Sequence, residues 1–423
     1  MNNRIFSLTA ALVLAMSTFA TNIETDRSWY LAGEAMKISV TVDDAVIAYA
    51  ELCDTHRLAA GVVIGLKENK GTGTIELPAD LHSGYYQLSV YTRDNANVTQ
   101  RLIAIVNPLR RSVDDDIEWV KVDNGKLTID NGQLQESAAD NYPSSIIHYP
   151  LTDEVRETEG HIIKARVRNV GNFKANQITP SLSIIGKQIH YFEGKMVNDT
   201  TAVFYTYDVH GRQPLVISAL SSTGISLPIE MISPFATLLP KQLPHLVFHY
   251  NRSEVEARSL DMQRHQMAIT PKESNGQPSF VPLEYNETAY GTKPDLSYNL
   301  DEYRQFRTIR EVLVEYVSNV SNRKINGVSK LVVHSVNDQY DGSWPSLVLI
   351  DGMPVIDIER LLSYDARRIH YINIYGGQYT FGNGVYNGIL SFVTRSGRLT
   401  NYPVEPNMQY LEYDFPLTSG SWQ

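Results

Sequence analysis

Apolar and polar side chains alternate one by one along several short stretches of this chain, and that period of two limits what the chain can fold into. Over residues 37–42, Ile38, Val40 and Val42 fall on one face and Lys37, Ser39 and Thr41 on the other. Over residues 85–91, Tyr86, Leu88 and Val90 oppose Gln87 and Ser89. Such alternation belongs to strands with one face buried. Gly33, Gly71, Gly73, Pro78 and Gly84 supply turns between the runs. Short strands at this spacing predict an all-β sandwich over 22–107, with its last strand at 102–106.

The same pattern returns over 158–236. Ile163, Ala165 and Val167 share a face, further strands are expected at 182–185, 202–207 and 215–220, and His210-Gly211-Arg212 forms a turn. Between the two sandwiches, 108–157 is polar and acidic and reads as a linker or strand lead-in. Its Asp114-Asp115-Asp116 run lacks the alternating ligands and the glycine of a calcium loop. Residues 237–300 hold six prolines among polar stretches and read as a connecting region, with a strand at 246–250.

Over 301–398 the character changes. Thr308 and Glu311 fit a capping box, and Ile309, Val312, Leu313, Tyr316 and Val317 follow at helical spacing. Short apolar strands at 331–334, 347–350, 371–375 and 389–394 surround a tight turn at Asp351-Gly352, a short helix at 357–362 and a glycine-rich loop at 376–388. The expected class is mainly β and multidomain: two sandwiches, then an α+β domain, then a C-terminal tail at 399–423.

Residues 1–20 read as a signal peptide: Arg4 gives a basic start, 5–16 an apolar run, and Thr18-Phe19-Ala20 a small-x-small cleavage site. The run is too short for a permanent membrane span, which needs about 20 residues, and no later stretch is apolar enough to cross. An exported protein is expected, periplasmic, outer-membrane associated or at the cell surface. The net charge is −10; a chain this acidic, with no basic cluster in its sequence, repels phosphate backbones, which argues against nucleic acid as a partner. Cys53 is the single cysteine, so no intramolecular disulfide or cysteine zinc site can form, and it reads as a small buried hydrophobe.

Three stretches carry resemblances. Residues 25–34, with Thr25-Asp26-Arg27, Tyr30 and Gly33-Glu34, resemble the first strand of macroglobulin-type, Ig-like sandwich domains, and 73–86 resembles the later strands of the same domain. The thioester of protease-trapping macroglobulins has no counterpart, so the resemblance implies a spacer or binding module. Residues 158–236 are similar in order to carboxypeptidase-regulatory-like sandwiches. Residues 346–355, 368–375 and 387–397 resemble, in order and spacing, the plug domain of TonB-dependent receptors. In a transporter the plug is followed by a large barrel; about 25 residues follow Gly397 here, too few to build one. The whole arrangement resembles exported proteins of Bacteroidetes-type bacteria.

Chemical motifs are sparse. There is no Gly-x-Ser-x-Gly elbow. His245 and His249 are four apart, but the residues between them read as strand and Pro244 precedes, which favours structural histidines over metal ligands. The 376–388 loop fits no nucleotide motif. If exposed on it, Tyr379, Phe381, Asn383 and Tyr386 would form a partner-contact surface; packing into the core is the competing use. No catalytic residue, metal site or cofactor is expected. The expected function is a non-enzymatic envelope binding or scaffold protein whose plug-like domain contacts an outer-membrane or periplasmic protein. A surface adhesin or structural component is the alternative; a truncated transporter, or a hydrolase built from scattered carboxylates, is less favoured.

Overall fold

The computed structural model describes residues 22–43, 45–93, 97–122, 128–130, 145–148, 157, 160–185, 189–269, 289–325, 327–334, 345–396 and 407–417. The expected signal peptide at 1–20 lies outside them. The architecture is mainly β, with several stacked sheets and few helices.

In the first sandwich, a sheet of Asn22–Thr25, Ala35–Thr41 and Lys70–Glu76 faces a larger one. The larger sheet runs Ser145–His148, Asn97–Val106, Gly84–Tyr91, Ile47–Cys53, Leu58–Gly65, with Trp29–Leu31 beside Asn97–Val106. Met36, Ile38 and Val40 are buried and alternate with exposed Lys37 and Ser39, as the period of two requires. Gly84–Tyr91 departs from the expectation of one buried face, because every residue in it is buried. The far face is covered by a later segment: Gln87 Nε2 donates to the Leu238 carbonyl at 3.2 Å, and Phe235 lies over Gly61, where a Cβ would come within 2.7 Å of the ring. Cys53 is fully buried, and burial pushes its thiol up to about 12.

The connecting region folds onto this sandwich. Leu246–Tyr250 pairs parallel with Ile117–Lys121 and antiparallel with Thr128–Asp130. Phe248 and Leu246 pack with Trp29, Leu31 and Val106. Asp115 accepts the Ser83 amide (2.7 Å) and the Ser112 amide (2.8 Å), fixing the lead-in to Ile117–Lys121. Arg252–Ile269 is then an 18-residue helix within the segment expected to be a connecting region. Its apolar residues do not form a clear stripe. Instead Arg258 lies 3.6 Å from the Trp29 ring centroid and forks onto the buried Glu34 at 3.1 and 2.6 Å. Gln266 donates to the Gly33 carbonyl, and Met262 packs on Gly33, where a Cβ would meet its Sδ at 2.9 Å.

The second sandwich pairs the sheet Lys195–Met196, Thr201–Thr206, His161–Val167, Ile229–Met231 with the sheet His190–Glu193, Ile178–Ile184, Gly211–Ser221, Gln409–Phe415. The last strand comes from the segment expected to be a C-terminal tail. It runs antiparallel to Gly211–Ser221 over seven partners, and Tyr413 and Phe415 enter the core. Leu411, Tyr413 and Phe415 alternate with Glu412 and Asp414, a local strand signal, and the open edge of Gly211–Ser221 supplies the partner.

The α+β unit has a five-stranded sheet in the order Leu296–Asn299, Ile369–Phe381, Gly384–Thr394, Leu347–Ile350, Met353–Pro354. Helices Ile309–Tyr316 and Ile358–Ser363 and the hairpin Val320–Ile325/Val328–Val333 pack against it. The expected capping box is present: Glu311 N donates to Thr308 Oγ1 at 3.3 Å, and the Glu311 carboxylate accepts the Thr308 amide at 3.1 Å. The expected turn is present too, with Asp351 at φ +47 and Gly352 at φ +89. The glycine-rich stretch is not a loop. It forms the ends of two long strands that pair through Phe381↔Gly384. Ile185 and Val216 of the second sandwich join the core of this unit, so the two are packed as one body.

Candidate functional site

Two constellations of polar and aromatic side chains join the sandwiches to each other and to the α+β unit. Both were assembled from distant segments.

The first centres on Glu157, between the sandwiches. Tyr49 donates to its carboxylate at 2.7 Å, Arg93 Nη1 at 3.1 Å and the Ile162 amide at 2.8 Å. His161 Nδ1 lies 3.2 Å from the same oxygen, and its Nε2 lies 2.6 Å from the Tyr413 hydroxyl. Arg93 also donates to the Ile162 carbonyl at 2.7 Å and sits 4.8 Å from the Tyr49 ring centroid. Burial holds the His161 imidazole below its ordinary value. Burial would raise the Glu157 carboxyl, but hydrogen bonds from His161 and the Arg93 charge outweigh that and lower it. A carboxylate only accepts, so Nδ1 must carry the proton and donate; Nε2 of the neutral ring then accepts from Tyr413. Glu, His and Tyr in a row have the composition of an acid–base relay. Here His161 is 3% exposed and Tyr413 is buried as well, so the row is enclosed and clamps three segments together.

The second constellation holds the expected contact residues. Tyr386 is buried, donates to the Glu193 carboxylate and lies 3.1 Å from the Tyr191 hydroxyl. Its own hydroxyl is pushed far up by burial and by the neighbouring Tyr191 and Glu193. Phe381 and Tyr379 are half-buried; Phe381 meets Tyr191 edge-on at 5.7 Å and Tyr379 in a stack at 6.2 Å. Asn383 is exposed at the hairpin tip, and its amide donates to the Glu193 carbonyl at 3.2 Å. Of the two uses open to these residues, exposure and core packing, Tyr386 takes the packed one, because the tip lies against the second sandwich. The four do converge in space. Their main contacts are internal, and Tyr191 and Glu193, 195 and 193 positions before Tyr386, were not identifiable from the sequence.

The buried carboxylates serve the backbone. Glu51, fully buried, accepts the Thr237 amide at 2.9 Å, the Leu238 amide and the Tyr91 hydroxyl at 3.0 Å, which holds residues 235–238 on the first sandwich. Burial raises its pKa. Asp351 accepts both the amide (2.7 Å) and the hydroxyl (2.5 Å) of Thr394. His245 and His249 lie on the strand edge and interior of one extended segment, where positions four apart are about 13 Å apart; His245 Nδ1 is 2.5 Å from Asp116. Among the described residues no three His, Cys, Asp or Glu side chains gather at a metal-binding distance, and no helix is long and apolar enough to cross a membrane.

No family model matches the chain, and no curated protein matches it. Solved structures that align with parts of it include a BSP domain of a biofilm associated protein, at 9% identity and a TM-score of 0.17, covering 55% of this chain and 30% of that one. Trypsin-activated alpha-2-macroglobulin from Escherichia coli aligns at 12% identity and a TM-score of 0.20, covering 51% of this chain and 15% of that one. The two Ig domains of DIP-gamma align at 9% identity and a TM-score of 0.14, over 50% of this chain and 95% of that one. The chain thus spans under a third of the first two matched structures. Likeness this slight carries no argument about activity, and the mainly β, multi-sandwich class rests on the strand pairings themselves.

Proposed function

We propose that this chain is a non-enzymatic binding or scaffold protein of the bacterial cell envelope, exported by its N-terminal segment, in which macroglobulin-like and regulatory-like sandwiches hold a plug-like α+β unit against an outer-membrane or periplasmic partner. The observation that carries the reading is the return of Gln409–Phe415 to the edge of Gly211–Ser221. The chain leaves the second sandwich, crosses the first over 235–269, builds the α+β unit and then returns, so the C-terminal end of the unit is fastened to the second sandwich. The hairpin tip on Glu193 adds a second fastening. A unit so held presents a fixed face, which suits contact and lowers the ordering cost of binding. The plug resemblance of 346–355, 368–375 and 387–397 supplies the kind of partner.

The test is crosslinking in intact envelopes of the source bacterium followed by affinity capture of the full chain. Recovery of an outer-membrane or periplasmic protein is expected, and its loss when exposed residues of the α+β unit are replaced. Recovery of cytoplasmic proteins alone overturns the proposal. Rapid loss of the chain when intact cells are treated with protease would move it to the outer surface and favour an adhesin.

A further inference from the structure

The hairpin Val320–Ile325/Val328–Val333 is a two-stranded sheet of its own, separate from the five-stranded sheet it packs on. Its inner face buries Ser329, Leu331 and Val333. On its outer face Arg323 and Lys330 are directly opposed partners, and both are exposed. Like charges directly across a strand pair destabilise it. Among the described residues neither cation has an acidic partner in an ion pair. Lys324, next in sequence, is exposed as well. In a chain with a net charge of −10, this is positive charge kept against the stability of its own hairpin.

The hairpin also has an open edge. His334 N donates to the Asn319 carbonyl at 2.8 Å, which sets the alternation of the antiparallel ladder. Residues 321 and 323 therefore bond across the hairpin, and the backbone groups of Val320, Asn322 and Lys324 point outward. Among the described residues no strand pairs with that side. The opposite edge is different, since the outward amide of Val333 donates to Ser346 Oγ at 2.9 Å.

We propose that the outer edge of Val320–Ile325 is a docking site for an extended, acidic segment of a partner protein, added as a third strand with its carboxylates on Arg323 and Lys330. The edge supplies main-chain hydrogen bonds, and the cations select the charge of the incoming side chains. An anionic lipid surface would use the cations but has no use for a row of outward amides and carbonyls. The site rests on the partner-binding reading above and names the chemistry of that partner.

The experiment uses the full chain and a fluorescein-labelled peptide, Glu-Thr-Glu-Val-Glu-Thr-Glu-Val, read by anisotropy. A peptide with Lys for Glu and vesicles of anionic phospholipid are run in parallel. The acidic peptide is expected to bind at least about tenfold more tightly than the Lys peptide. Arg323→Glu with Lys330→Glu should weaken binding by about tenfold or more. Asn322→Pro removes an outward amide that the hairpin does not use and is expected to weaken binding comparably. Thermal midpoints of both variants establish that they fold. The proposal is overturned if the acidic peptide does not bind, if the Lys peptide binds equally, or if neither folded variant changes binding. It is also overturned if vesicles bind through the cations while Asn322→Pro has no effect on the peptide. An envelope partner whose capture survives both variants would remove this site and leave the scaffold reading intact; peptide binding without any captured partner would do the reverse.

Discussion

His161 Nε2 accepts from the Tyr413 hydroxyl at 2.6 Å, across 252 positions of sequence. Through that bond the C-terminal strand is tied to the Glu157 cluster and so to Tyr49 and Arg93 of the first sandwich. Tyr413→Phe keeps the ring and leaves the buried Nε2 without its donor. The expected loss is about 1–3 kcal/mol of unfolding free energy, read as a lower midpoint in urea with an unchanged slope.

The same cluster predicts the pH dependence. Burial holds the folded-state pKa of His161 below its ordinary 6.5. As pH falls through that value the unfolded chain takes up a proton first, so stability is lost on acidification. Glu157, held below 4.5, adds a further loss at lower pH. Glu51 works in the opposite sense, because burial raises its pKa and protonation relieves it. The melting temperature is expected to fall between pH 7 and 5. His161→Gln, which cannot titrate, should flatten that limb; an unchanged slope would remove His161 as its cause.

Arg258 fastens the helix Arg252–Ile269 to the first sandwich through Trp29 and Glu34. Glu34 keeps a second partner in Arg27 at 3.1 Å, so Arg258→Ala is expected to cost about 2–3 kcal/mol rather than the full penalty of a stranded charge. Arg258→Lys, lacking the planar fork, should recover only part. Urea unfolding gives the magnitude, and faster proteolysis within 252–269 would locate it.

Asp351 combines a left-handed backbone (φ +47) with two hydrogen bonds from Thr394. Asp351→Ala loses both acceptors and keeps the strain, for an expected cost of about 2–4 kcal/mol. Asp351→Asn tolerates the backbone and retains one acceptor oxygen, so about half that loss is expected by the same reasoning. Chemical denaturation of the two variants side by side distinguishes the backbone contribution from the hydrogen bonds.

Gly382 has φ +60, and a Cβ there would fall on the Glu193 carbonyl oxygen. Gly382→Ala should therefore lift the hairpin tip from the second sandwich at a cost of about 1–3 kcal/mol. Increased hydrogen exchange at Asn383 and at Tyr191 is the expected signature. Unaltered protection at both would show that the tip does not depend on this contact.

Much of the local structure was legible in the sequence. Alternation marked Ala35–Thr41 and His161–Val167, the Thr308/Glu311 pair marked the start of Ile309–Tyr316, and Asp351-Gly352 marked its turn. Each of these depends on side chains within a few positions, where period and cap chemistry act directly. Other features had no local signal. The helix Arg252–Ile269 has no clear apolar stripe, and its seat is made by Arg258, Met262 and Gln266 finding Trp29, Glu34 and Gly33. Gln87 looks like a solvent-facing strand residue until residues 235–238 cover it.

The candidate contact residues show the division most plainly. The sequence by itself determined that Tyr379, Phe381, Asn383 and Tyr386 sit near turn-forming glycines, because glycine and aromatic positions are local facts. Only the tertiary structure decided that Tyr386 faces Tyr191 and Glu193, that Asn383 stays in solvent, and that Gln409–Phe415 closes the second sandwich. A strand edge or an aromatic face is satisfied by whichever complementary surface the whole chain brings to it. That choice depends on the combined free energy of contacts far apart in sequence, which no local period records.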